Sequence, residues 1–126
     1  MTFTIPIAPV TKKNHQEIYR NPKTGKRFIT QSKQYKAYEA ACLLHIPRRA
    51  RKKIESEVNL KALFYMPTRR RVDLVNLLEA LQDVLVLAGV LADDNSNIVV
   101  STDGSRVLLD RDNPRTVVEI TSVTPL

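Results

Sequence analysis

Residues 58–88 constrain the fold of this chain more than any other stretch. Val58, Leu60, Ala62, Phe64 and Met66 recur at period two and stop at Pro67, the pattern of a strand with one buried face. Beyond it the period changes. Leu74, Leu77, Leu78, Leu81, Val84, Leu85 and Ala88 recur at three- and four-residue spacing, an apolar stripe along one helix. Asp73 stands at the N-cap of that helix and Gly89 at its C′ position. A half-buried strand leading into an apolar helix needs a sheet on which the helix can lie.

The flanking segments supply that sheet. Phe3, Ile5 and Ile7 alternate with Thr4, Pro6 and Ala8, which predicts a short strand, and Pro6 places it at an edge or a bulge. Ile18-Tyr19 and Phe28-Ile29 flank the turn signal Asn21-Pro22-Lys23-Thr24-Gly25 and predict a small hairpin. Ser32 is placed to cap a helix over 32–45, with Tyr35, Tyr38, Cys42 and His45 on one side and Pro47 ending it. Ile98, Val99 and Val100 predict a strand, Asp103-Gly104 a turn, and Val107 to Leu109 its continuation or partner. Val117, Val118 and Ile120 predict the last strand. The order β, hairpin, α, β, α, β, β predicts an α+β fold, a mixed β-sheet with two helices packed on one face. No repeat, low-complexity segment or interdomain linker interrupts it, so one domain over residues 1–126 is expected.

Charge is distributed unevenly. The formal net charge is +7; residues 1–71 hold 17 Lys+Arg against 4 Asp+Glu, a net of +13, and residues 72–126 hold 3 against 9, a net of −6. A basic surface beside an acidic site favours a polyanionic partner. A purely basic RNA-binding protein would leave the acidic second half unexplained. Cys42 is the single cysteine, so no intrachain disulfide is possible and a reducing compartment is expected. No run approaches the roughly 20 apolar residues of a membrane span, and the N-terminus lacks the charged and apolar regions of a signal peptide. The expected location is cytoplasmic, with no membrane partner.

The chemistry concentrates around the long helix. Arg69, Arg70 and Arg71 precede Asp73, and Asp93-Asp94 follow the helix. Guanidinium groups hold phosphates, and clustered carboxylates collect hard divalent cations such as Mg²⁺ or Mn²⁺. No thiolate cluster or His pair suits zinc, and no nucleophile constellation is visible. At 1.5 Å per residue a helix over 73–88 is roughly 24 Å long. The return loop must therefore bring residues 93–94 back toward Asp73 if the carboxylates are to share an ion. The bland alternatives are an N-cap at Asp73 and a solvated turn at Asp93-Asp94-Asn95. Lys12, Lys13, Lys23, Lys26 and Arg27 offer one basic lip, and Arg48, Arg49, Arg51, Lys52 and Lys53 another.

The segments Met66 to Leu77 and Leu87 to Asp94 resemble the RusA family of phage and bacterial Holliday junction resolvases. That family's pattern is a run of Arg, then Asp-Leu-Asp-Asn-Leu with a Lys shortly after, then a helix and an Asp-Asp pair. The order of elements is similar over nearly the whole chain, including the Lys12-Lys13-Asn14 loop after the first strand. The resemblance implies a RusA-like fold and a crossover junction endodeoxyribonuclease. It implies Mg²⁺ as cofactor, with Mn²⁺ as a possible substitute and no small-molecule cofactor. The expected partners are branched DNA, a four-way junction above all, and a second copy in a homodimer.

Carried over residue by residue, the first metal-binding aspartate falls on Asp73, the asparagine on Asn76 and the Asp-Asp pair on Asp93 and Asp94, with Asp94 as the essential ligand. Two positions depart: the second aspartate falls on Val75 and the catalytic lysine on Glu79. The chain is similar to a phage and Gram-positive branch of the family. Glu79 lies one turn beyond Val75 and offers a replacement carboxylate, whereas Asp83, a further turn on, is expected to fall short. The implied catalytic set is Asp73, Glu79 and Asp94; Asp93 joins them on the metal. The implied DNA-binding set is Arg69, Arg70, Arg71, Lys12, Lys13, Asn14 and Asn76. Two rival readings remain: a flap- or fork-selective nuclease with the same site, and a branched-DNA-binding protein weakened in catalysis, for which Val75 and Glu79 are the best evidence.

Overall fold

The computed structural model describes residues 1–12, 16–31 and 33–123, with backbone alone for 16–19 and 28–31. The elements in order are β1 (Thr2–Ile5), β2 (Gln16–Arg20), β3 (Arg27–Gln31), α1 (Lys33–His45), a 3₁₀ turn (Arg48–Ala50), β4 (Val58–Met66), α2 (Leu74–Leu87), β5 (Val99–Ser101), β6 (Arg106–Leu109) and β7 (Arg115–Ser122).

Five strands form one mixed sheet in an α+β fold. β1 pairs antiparallel with β7, and β7 antiparallel with β4. β5 and β6 both run parallel to β4, β5 beside Val58 and Asn59 and β6 beside Leu63 to Met66. They are one interrupted edge strand, so Val107 to Leu109 continue the strand begun near Ile98. Side chains satisfy the backbone across the break: Ala62 N–H donates to Ser105 Oγ at 3.1 Å, and Asn59 Oδ1 accepts from Asp103 N–H at 2.8 Å. β1 is the opposite edge and ends at Ile5, before Pro6, as a proline without an N–H requires.

One face of this sheet is buried. Phe3 and Ile5 of β1, Leu60, Ala62 and Phe64 of β4, and Val118 and Ile120 of β7 all lie below 5 % exposure. They join one cluster with Tyr35, Tyr38 and Cys42 of α1 and with Leu77, Leu81, Val84 and Leu85 of α2. Both helices therefore pack on that face. α1 differs from expectation at its end: His45 is exposed, and Ile46, 3 % exposed, fills the core position beyond the last turn. Ser32, the expected cap, lies outside the described residues.

The expected hairpin forms separately. β2 and β3 pair antiparallel from Gln16 opposite Gln31 to Arg20 opposite Arg27. Gly25, at φ +71°, closes its turn with an N–H donated to Asn21 O at 2.8 Å. Among the described residues no helix is long and apolar enough to cross a membrane.

Candidate functional site

The N-terminal end of α2 is built as the sequence suggests, but its cap is not made by the expected group. Asp73 is extended (φ −91°, ψ 125°) and its carbonyl accepts the first helical bond from Leu77 N–H at 3.1 Å. Its side chain makes no capping bond. Asn76 Nδ2 instead donates to Asp73 Oδ2 at 3.3 Å, which leaves an exposed carboxylate oriented by an amide. Arg69, Arg70 and Arg71 are exposed immediately before it. Arg70 N–H donates to Thr68 Oγ1 at 3.3 Å and holds the turn. Among the described residues none of the three guanidinium groups pairs with a carboxylate. Guanidinium groups without a carboxylate partner are able to pair with anions such as phosphate.

The far end of α2 sets the Asp93-Asp94 turn. Gly89 N–H donates to Val86 O at 3.0 Å and Val90 N–H to Leu85 O at 2.9 Å, a Schellman closure that needs the positive φ of Gly89 (+78°). The chain then runs parallel to residues 53–54. Lys53 N–H donates to Gly89 O at 2.8 Å, Ile54 N–H to Val90 O at 3.0 Å, and Ala92 N–H to Ile54 O at 2.9 Å. These bonds fix the turn that follows.

The two adjacent carboxylates of that turn differ electrostatically. Asp93 accepts from Asp94 N–H at 2.7 Å and from Asn95 Nδ2 at 3.1 Å, and these bonds hold it below the usual carboxylate range. Asp94 is raised above it, first by partial desolvation, then by its hydrogen bond with Asp93 and by the charges of Asp83 and Asp93. Asp83 is thus a helix carboxylate whose charge acts on Asp94. Asp83 is itself held by Lys12, Nζ to Oδ2 at 2.5 Å, and Lys12 lies 5.7 Å from the centre of the Tyr35 ring. Sequence reasoning missed this pair because nothing local relates Lys12 to α2.

The remaining expected residues fall as follows. Val75 and Glu79 are both exposed, one turn apart on the outer face of α2. Asp73 lies ten residues, roughly 15 Å, along α2 from Asp83. Lys13 and Asn14 are outside the described residues. Lys23, Lys26 and Arg27 are exposed on the hairpin. In the second basic run, Arg49 donates to Thr2 O at 2.9 Å, and Arg51 donates to Leu43 O and to Ile46 O, closing the last carbonyls of α1. Those two arginines are committed to the fold, whereas Arg48, Lys52 and Lys53 are exposed without such a bond among the described residues.

The chain matches the family described as Endodeoxyribonuclease RusA over residues 6–121, nearly its whole length. It belongs to the RusA family. No curated protein matches it. RusA membership implies a nuclease that resolves Holliday junctions, a hydrolase acting on DNA, and RusA nucleases are in general divalent-metal dependent. A divalent ion of this kind takes several oxygen ligands. Among the described residues of one RusA chain, no three His, Cys, Asp or Glu side chains come together to hold one. Asp73 and the Asp93-Asp94 turn are thus not part of such a group among the described residues.

Proposed function

We propose that this RusA chain is a Mg²⁺-dependent endodeoxyribonuclease that resolves four-way DNA junctions by paired phosphodiester hydrolysis, in DNA recombination and repair. The observation that supports this most is the start of α2. There three exposed arginines without carboxylate partners among the described residues adjoin an exposed carboxylate not used for capping. Arg69, Arg70 and Arg71 bind the phosphates on either side of the bond to be cut, with Lys12, Lys13, Asn14 and Asn76 holding the DNA beside them. Such contacts fix register and carry little sequence information. Asp73, Asp94 and Glu79, with Asp93, are the proposed ligands; Mn²⁺ substitutes for Mg²⁺ in such an oxygen site. The ion, when bound, supplies an activated water and stabilises the leaving oxygen.

A homodimer resolves the separation of Asp73 from Asp94. Two α2 helices packed antiparallel about a two-fold axis bring the Asp73 end of each toward the Asp94 end of the other. The outer side of α2 suits such a contact: Val75 is 73 % exposed, Leu87 is 57 % exposed, and Val86 lies on the Val75 face three turns on. Two equivalent sites also match a substrate that requires two incisions.

Cleavage of a labelled four-way junction in Mg²⁺, beside flap and linear DNA, tests the reading. Wild type is expected to make paired nicks in the junction. Asp94→Asn is expected to slow them more than about 100-fold, beyond the loss typical of an outer partner of a metal site. Preferential cutting of flaps would favour the flap nuclease. Tight junction binding with no cleavage in Mg²⁺ or Mn²⁺ would favour the branched-DNA-binding protein, the reading that exposed Val75 in place of a carboxylate supports.

A further inference from the structure

The connection after β1 and the connection from β4 to α2 together line a half-open cavity of about 190 Å³. Val10, Met66 and Val72 line it and pack inward against the core. Thr11, 4 % exposed, and Thr68 also line it. Arg70 and Arg71 also line it while remaining exposed, so they stand at its mouth. Val72 directly precedes Asp73.

We propose that this cavity receives one unpaired nucleobase of the DNA substrate, extruded at the branch point, while Arg70 and Arg71 hold the flanking phosphates. The inference rests on the junction-nuclease reading. Three features select a base as the occupant. About half of the wall is apolar, which suits the faces of a base, and the polar remainder, with Thr11 and Thr68 among it, suits its edge. The volume lies below the roughly 300 Å³ at which pockets for drug-sized ligands begin, so it suits a single ring system. The mouth is cationic, as a base arriving with its own phosphates requires. An inorganic anion would need no apolar wall, and an aliphatic side chain no arginines.

The cavity also supplies what charge alone lacks. Lysines and arginines attract any duplex. Extrusion of a base costs least where it is already poorly stacked, and a branch point offers such bases. A base pocket beside the cutting site thereby favours branched over linear DNA and sets the cut at a fixed distance from the extruded base.

Junctions carrying 2-aminopurine at each branch-point position, or inside an arm, provide the test, with binding measured in buffer free of divalent metal. The full chain is expected to raise the fluorescence several-fold at one branch-point position and not inside the arms. Val72→Phe and Val10→Leu fill the cavity from different connections, so a folding failure of one, seen by circular dichroism, leaves the other. Each is expected to abolish the rise and to lower the preference for junction over linear DNA about tenfold. Preferential junction binding without a rise at any branch-point position would overturn the pocket and leave the proposed function standing. A full rise in both folded, filled variants would also overturn it. Equal binding of junction and linear DNA would overturn the function reading and the pocket with it.

Discussion

At the scale of single residues, the carboxylates of this protein are sorted by their nearest donors. Asp110 is held below the usual carboxylate range first by a hydrogen bond from Arg115 Nη1 at 2.8 Å, and by the N–H groups of Asn113 and Asp112. Arg115 also stacks 3.8 Å from the centre of the Tyr65 ring, so the pair anchors the β6–β7 turn to β4. A folded-state pKa depressed in this way stabilises the native state above the unfolded value, near about 3.9 for Asp. That contribution disappears as pH falls through the folded pKa. The melting temperature of wild type should therefore fall more steeply below about pH 4 than that of Asp110→Asn, with the two converging in stronger acid. Parallel curves across that range would contradict the assignment. The sequence placed Asp73 at the N-cap correctly, but it did not show that Asn76 engages the carboxylate. Both side chains offer local bonds, and only the folded geometry chooses between them.

At the scale of elements, α2 was the most legible part of the chain, because its stripe, its Asp and its Gly agree with one another. The closing of α2 depends on Gly89. A Cβ built there meets nothing within 4 Å, so the cost of Gly89→Ala is conformational rather than steric. It should destabilise the fold by about 1 kcal/mol, read as a lower urea midpoint at unchanged slope. An unchanged midpoint would mean that the Schellman closure is not what ends the helix. The interrupted edge strand was legible as two apolar runs and left open as continuation or partner. The choice is made by Asn59 and Ser105, whose side chains bridge the gap, and no periodicity encodes such bonds. α1 was misread at His45 because the stripe was extended through the last residue of the helix, whereas the chain turns there and buries Ile46.

At the scale of the whole molecule, the sheet, its two helices and the family were readable from the order of patterned segments and from the arginine and aspartate positions near α2. The assembly of the site was not. Sequence places Asp73 and Asp94 at opposite ends of one helix, and in the fold the charge of Asp83 acts on Asp94. In the proposed homodimer a second copy completes each site. Mixing Asp73→Asn and Asp94→Asn proteins, each inactive alone, tests it through cleavage of a four-way junction after subunit exchange. In a mixed dimer one site carries both substitutions and the other carries neither. The account predicts that the mixture regains cleavage, from the one intact site of each mixed dimer. No cleavage by the mixture, under conditions where wild type cuts and a tagged pull-down shows mixed dimers, would contradict it.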